Sequence, residues 1–268
     1  METNNVFHWK LDEANKTLFL RLGSEDQLHY SYKTVCANYD AIPSVSEFIA
    51  KNDVEYLVYL SRNKKVWNMG GDLEMFVRCI ENGEYESLRD YAIKCVHLVH
   101  SLNSGYGSNA VTISVVQGNA FGGGFESALS SNYLIAEDQV KFCFPEVIFG
   151  TFPGMGAYSL LTRKVGFSKA KEMICSAKKW TASEMKDAGL IYEVCSQDEG
   201  VKLALEKIAN NELDKHDTFS KICTAISLDE LINVVEIWIE NVMKLDDSHV
   251  RTMHKLIEAQ KHKLSGRN

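Results

Sequence analysis

Two apolar runs of strand type, Val54 to Leu60 (VEYLVYL) and Ala110 to Val116 (AVTISVV), flank a stretch in which Leu88, Tyr91, Ala92, Cys95, Leu98, Val99 and Leu102 recur at intervals of three and four. β-Branched and aromatic residues favour strands, and the spacing between the runs marks a helix with one buried stripe. Strand, long helix and strand together predict a parallel crossover, which places the chain in the α/β class. Thr17 to Leu22, Tyr133 to Ala136 and Val140 to Phe144 read as further strands, and Gly189 to Val194 is one more apolar run. From Gly156 onward the pattern is mostly helical. Past Leu228, apolar residues at Leu231, Val234, Val235, Trp238, Val242 and Leu245, then Met253, Leu256 and Ile257, make an amphipathic tail. Its stripe must cover the chain's own core or a neighbouring subunit. At 268 residues and 45% hydrophobic composition, one large domain is expected. It divides into a core over residues 1–195, whose arm to about residue 50 carries no assignment, and a helical region over 196–268.

The net charge of −7 is spread along the chain and argues against a nucleic-acid groove or a basic membrane surface. METNNVFHWKLDEA lacks the apolar centre of a signal peptide, and no run approaches the ~18 apolar residues of a membrane span. A soluble, cytoplasmic protein is expected. Cys36, Cys79, Cys95, Cys143, Cys175, Cys195 and Cys223 are odd in number and never form a CxxC pair, which predicts reduced, buried thiols. His97 and His100 stand three apart on the predicted helix, but no nearby carboxylate or cysteine completes a metal site, so a structural role is expected.

The chemistry concentrates around two glycine corners. FGGGFESA, Phe121 to Ala128, follows the strand Ala110 to Val116 and opens a helix, where unpaired N–H groups meet the positive end of the dipole. Without Cβ atoms a ligand can approach that backbone closely. A tight turn with φ > 0, or close packing of helix on strand, would call for the same glycines. The corner is not a dinucleotide fingerprint, since the GxGxxG spacing is absent, and no phosphate-loop lysine follows. A second corner, Asn68 to Asp72 (NMGGD), opens the helix Leu73 to Ile80, which Asp72 can cap. N–H donors near Gly71 and Gly123 could thus converge on one oxygen as an oxyanion hole. Glu126 lies in the first turn after the glycines, where a solvated partner of the helix dipole is the plainer reading. Glu146 is framed by Phe144, Pro145, Val147, Ile148 and Phe149. A carboxylate there is costly to bury unless paired, protonated or useful, and desolvation raises its pKa towards the range of acid–base work.

NMGGDL, QGNAFGGGFESAL, FPEVIFGTFPGMGAYSLL and KKWTASEMKDAGLIYEV, in this order and spacing, resemble the crotonase, or enoyl-CoA hydratase/isomerase, superfamily. Within it, GGDLEMF, GGGFESALS, PEVIFGTFPGMGAYS and the tail EIWIENVMKL are most similar to the diffusible-signal-factor synthases, which make cis-2-enoic fatty acid signals. The likeness covers roughly Val54 to Gln260. It implies a ββα-superhelix core with a C-terminal helical oligomerisation region, assembled as homotrimers or pairs of trimers. It also implies oxyanion donors at Gly71 and Gly123, and catalytic glutamates at Glu126 and Glu146. Phe125, Phe144, Phe149, Phe152, Met155 and Leu160 are candidates for the acyl pocket, although a plain core would use the same residues.

The implied reaction is dehydration of a 3-hydroxyacyl thioester followed by thioester hydrolysis. Glu146 would act as base at Cα and Glu126 as acid on the departing hydroxyl; the two roles are interchangeable at this stage. No cofactor is expected beyond the thioester carrier. The arginine–proline–asparagine segment with which hydratases help hold coenzyme A is missing from RLGSEDQLHYSYKTV. That favours an acyl carrier protein over CoA, with Arg62, Lys64 and Lys65 as candidate contacts for an acidic carrier, although a solvated surface run is the plainer reading of them. The alternatives are an enoyl-CoA hydratase/isomerase acting on acyl-CoA, and a non-catalytic partner protein that has kept the fold.

Overall fold

The computed structural model describes residues 2–3, 7–23, 25–63, 65–213 and 222–264. The strands are β1 (Glu2–Thr3), β2 (Phe7–Asp12), β3 (Thr17–Leu22), β4 (Tyr56–Ser61), β5 (Val66–Asn68), β6 (Val111–Val116), β7 (Asn119–Phe121), β8 (Tyr133–Glu137), β9 (Lys141–Cys143), β10 (Trp180–Thr181) and β11 (Glu193–Cys195). The helices are α1 (Tyr32–Lys51), α2 (Leu73–Asn82), α3 (Tyr85–Asn103), α4 (Gly123–Leu129), α5 (Ala157–Cys175), α6 (Ala182–Asp187), α7 (Gly200–Ala209), α8 (Leu228–Val242) and α9 (Asp247–Leu264).

The strands form two sheets. In the larger, ordered β1-β2-β3-β4-β6-β8-β11, the strands from β3 to β11 are parallel, and the hairpin β1-β2-β3 adds an antiparallel edge. The smaller runs β10-β9-β7-β5. The chain therefore repeats one course: a strand to the large sheet, a strand to the small sheet, then helix. It does so with β4, β5, α2 and α3, with β6, β7 and α4, and with β8, β9 and α5. This is the ββα superhelix that the resemblance implies. The predicted parallel crossover is present, since β4 pairs with β6 from Tyr56↔Val111 onward.

Alternation along β4 divides the interior. Tyr56, Val58 and Leu60 face one way, onto Ala204 and Ile208 of α7, while Leu57 and Tyr59 join the main core on the other side. The helical tail covers that main core within its own chain. Leu231, Val235, Trp238, Ile239 and Val242 of α8 and Val250, Met253 and Ile257 of α9 all belong to it. Leu231, Ile239 and Met253 are fully buried, each contributing about 1.5–3 kcal/mol relative to exposure.

The run Gly189 to Val194 is mostly a turn that buries Leu190 and Ile191, and only Glu193–Cys195 pairs as a strand. The cysteines are all free, but Cys175 and Cys223 are exposed because they lie at the end of α5 and in the connection before α8. His97 packs edge-on against Tyr39 at 5.3 Å between ring centroids, on the contact between α1 and α3. Among the described residues no helix is long and apolar enough to cross a membrane.

Candidate active site

Strands β5, β7 and β9 lie side by side and parallel, so their C-terminal ends deliver the first glycine corner, the second glycine corner and the Glu146 segment to one place. Carboxyl ends of parallel strands are where open α/β sheets place ligands. The corners touch. A Cβ on Gly70, whose φ is +99°, would lie 3.1 Å from the Phe121 carbonyl oxygen and 3.2 Å from the Gly123 amide nitrogen. Gly122, at φ +52°, donates its N–H to the Cys143 carbonyl at 2.8 Å, tying the second corner to the end of β9. A Cβ there would strike the Glu146 carboxylate, 2.5 Å from Oε1. Glycine at both positions is therefore a steric requirement as well as a conformational one.

The two amides proposed from the sequence remain available. Gly123 is the first residue of α4, beyond the reach of an intrahelical acceptor, and Gly71 pairs with Tyr30 only as a single bridge. Among the described residues neither Gly71 nor Gly123 donates its N–H to a protein acceptor within hydrogen-bonding geometry. Asp72 caps α2 as expected, accepting from the Met75 N–H at 3.0 Å.

Glu126 does not serve its own helix. It is 1% exposed, and its Oε1 accepts the N–H groups of Met155 at 2.7 Å and Ala157 at 2.9 Å, at the start of α5. The solvated reading of this carboxylate thus gives way to a buried carboxyl group seated on another helix's positive end. Burial pushes its pKa up to about 7, and the α5 amides hold it from rising further. Glu146 opens a 3-10 turn, Glu146–Phe149, that follows β9. Its Oε2 is buried with no hydrogen-bond partner. Burial first, and the neighbouring Glu126 second, push its pKa well above the usual carboxylate range. The two acids share a site but not an environment, and that separates their protonation states.

Gly70, Gly71, Gly122, Gly123, Glu126 and Glu146 line one cavity of about 260 Å³. Of the predicted pocket residues, Phe149 and Met155 line it too. Phe125, Phe144, Phe152 and Leu160 do not. Phe125 projects from α4 into the core, stacked on Phe144 with ring centroids 4.8 Å apart, and both are fully buried. Leu160 is buried one turn into α5, and Phe152 packs edge-on against Tyr158. The walls that the sequence reading missed come from elements distant in the chain: Phe76 on α2, Tyr91 and Cys95 on α3, Trp238 on α8, and Leu256 and Gln260 on α9. Phe76 packs edge-on between Tyr91 and Trp238, with centroids 5.7 and 5.2 Å away. Tyr91, Cys95, Trp238 and Leu256 were present in the sequence as helical periodicity, which does not distinguish a core face from a cavity wall; the stripes read from the sequence include neither Phe76 nor Gln260.

The segment lacking the arginine–proline–asparagine pattern is nonetheless built into the first corner. Leu28 O accepts the Met69 N–H at 2.7 Å, and Tyr30 N donates to Gly70 O at 2.9 Å. Of the candidate basic contacts, Arg62 hydrogen-bonds His8 at 2.7 Å, Lys65 is exposed, and Lys64 lies outside the described residues.

Comparison with known proteins accords with this geometry. The chain is 35% identical to the mitochondrial enoyl-CoA hydratase of Pongo abelii over 137 residues, which is 50% of this chain and 44% of that protein. It is 29% identical to the peroxisomal fatty acid beta-oxidation multifunctional protein of Oryza sativa subsp. japonica over 59% of this chain and 21% of that one. The match thus spans less than half the length of either relative. Among solved structures, human mitochondrial delta3-delta2-enoyl-CoA isomerase superposes with a TM-score of 0.79 at 16% identity, covering 96% of this chain and 98% of that one. An enoyl-CoA hydratase from Bacillus halodurans superposes at 0.77 and 20% identity, covering 93% and 99%. Both share the crotonase fold seen here. A family model described as enoyl-CoA hydratase/isomerase matches residues 47–266, a span holding both glycine corners and both buried glutamates, and the chain belongs to that family.

Proposed function

We propose that this protein adds water reversibly across the double bond of a 2-enoyl-CoA thioester. The observation that carries the reading is the inequality of two buried carboxylates in one cavity: Glu126 held by two amides, Glu146 with an oxygen that has no partner. That inequality makes Glu126 the member that ionises first, at a pH of about 7, and Glu146 the member that keeps its proton longer.

This is the charge state that hydration needs. The thioester oxygen lies between the Gly71 and Gly123 amides. Glu126 takes a proton from water as the water oxygen attacks C3, and negative charge moves onto the thioester oxygen. Each amide there is worth roughly 3 kcal/mol of barrier. Glu146 then gives its proton to C2, and the thioester carbonyl is restored. Dehydration is the same path reversed, with Glu146 as base and Glu126 as acid, as the sequence reading assigns them. CoA as carrier is supported by the enoyl-CoA names of the relatives.

A second reading is favoured by the missing arginine–proline–asparagine segment and by the motifs shared with the signal synthases: dehydration of a 3-hydroxyacyl carrier protein, then hydrolysis to free 2-enoic acid. One experiment separates the two. Purified protein is given crotonyl-CoA and, separately, 3-hydroxydodecanoyl carrier protein, and every product is identified by mass spectrometry. Rapid formation of 3-hydroxybutyryl-CoA with no free acid from the carrier supports hydration of CoA thioesters. Free cis-2-enoic acid with crotonyl-CoA untouched supports the signal synthase.

A further inference from the structure

Two tyrosines outside the reacting set join the glycine corners to one another. Tyr30 holds the first corner through its backbone, with its N–H on Gly70 O at 2.9 Å. It reaches the second through its side chain, with its hydroxyl 2.7 Å from Ser127 Oγ, one residue past Glu126. Ser127 Oγ in turn donates to Gly124 O at 3.0 Å, so the Tyr30 hydroxyl is the donor in the shared bond. Tyr91, from α3, closes the other side. Its hydroxyl donates to Tyr30 O at 2.7 Å and accepts the Asp72 N–H at 3.2 Å. The peptide carrying the Gly71 N–H is therefore gripped on both flanks, at Gly70 O and Asp72 N, by bonds that converge on Tyr30. Tyr30, Tyr91 and Ser127 are all buried, which leaves little water to substitute for a lost partner.

We propose that Tyr30 and Tyr91 are positioning residues that set the Gly71 amide against the Gly123 amide, so that both reach one thioester oxygen. The inference rests on the oxyanion hole of the reading above. Neither hydroxyl has a proton left to offer substrate: Tyr91 gives its own to Tyr30 O, and Tyr30 gives its own to Ser127. An oxyanion hole tolerates little displacement, since misplacement of about 1 Å costs on the order of a hundredfold in rate.

The test uses Tyr91→Phe, Tyr30→Phe and, as an independent break in the same chain of bonds, Ser127→Ala. Two readouts are taken: crotonyl-CoA kinetics, and the infrared carbonyl stretch of bound butyryl-CoA labelled with ¹³C at the thioester carbon. In wild type the stretch should shift to lower frequency, as two amides polarise the carbonyl. In Tyr91→Phe and Tyr30→Phe part of that shift should be lost and kcat should fall about tenfold or more, with KM held within about threefold. Ser127→Ala should follow Tyr30→Phe. Variants that melt earlier but keep the shifted carbonyl and the wild-type kcat per folded molecule would overturn the proposal, as would an unshifted carbonyl in wild type. If wild type polarises the carbonyl and the variants do not, yet crotonyl-CoA is never hydrated, the positioning role stands and the activity reading fails.

Discussion

Replacing Gly70 with alanine tests the contact between the two corners. Gly70 sits at φ +99°, where an L-residue costs about 1–3 kcal/mol. The new Cβ would also lie 3.1 Å from Phe121 O and 3.2 Å from Gly123 N, both backbone atoms that cannot rotate away. Relief requires the corners to separate by a few tenths of an ångström, which shifts the Gly123 amide relative to the first corner. About 2 kcal/mol of lost stability lowers the Tm by roughly 4–8 °C for a chain of this size. The displaced amide should lower kcat for crotonyl-CoA about tenfold or more, with a smaller change in KM. Gly83→Ala is the control. It has φ +67° and nothing within 4 Å of a Cβ, so it carries the conformational cost without the collision. Melting followed by circular dichroism, and turnover followed by loss of the conjugated enoyl absorbance, should show both variants destabilised but only Gly70→Ala slowed. Equal kcat in the two would refute the claim that the corners act as one unit.

Further outcomes follow from the same geometry. Hydration needs Glu126 ionised and Glu146 protonated, so kcat should rise with pH through about 7 and fall again at more alkaline pH, while Glu126→Gln and Glu146→Gln each lose about a hundredfold or more. Burial raises Glu126 from 4.5 to about 7, so the folded state keeps a proton that the unfolded chain has lost. Stability from this group is complete below pH 4.5 and declines as pH rises to about 7, by about 3 kcal/mol, and urea titrations of Glu126→Gln should lose that slope. Phe76 and Trp238 close the apolar wall of the cavity, so Phe76→Leu should raise kcat/KM for octenoyl-CoA relative to crotonyl-CoA by about tenfold, as competition assays would measure.

How much could be read from residues alone depended on whether the signal was local. The stripe from Leu88 to Leu102 became α3, and the strand run Thr17 to Leu22 is β3 residue for residue, because periodicity and β-branching are properties of neighbours in sequence. The glycine corners were legible because few backbones other than glycine tolerate such an approach. Helix α1 was not, since Pro43 lies within it and its face alternates polar and apolar residues. The placement of Glu126 was half legible. Its position in the first turn of α4 followed from sequence, but its partners at Met155 and Ala157 depend on α5 arriving from thirty residues downstream. The pocket failed for the converse reason. Phe125 and Phe144 are near the acids in sequence but turn into the core, whereas Phe76 and Trp238 are far apart in sequence and meet across the cavity.

The central claim is that two amides and two unequal acids together add water to an enoyl thioester. Its most direct test is hydration of crotonyl-CoA in deuterium oxide, with the product examined by mass spectrometry and NMR. The account predicts 3-hydroxybutyryl-CoA with one deuterium at C2 on a single face, delivered by Glu146, and loss of that product in Glu146→Gln. Recovery of unchanged crotonyl-CoA, or of a hydrated product formed equally well by the Glu146→Gln variant, would contradict it.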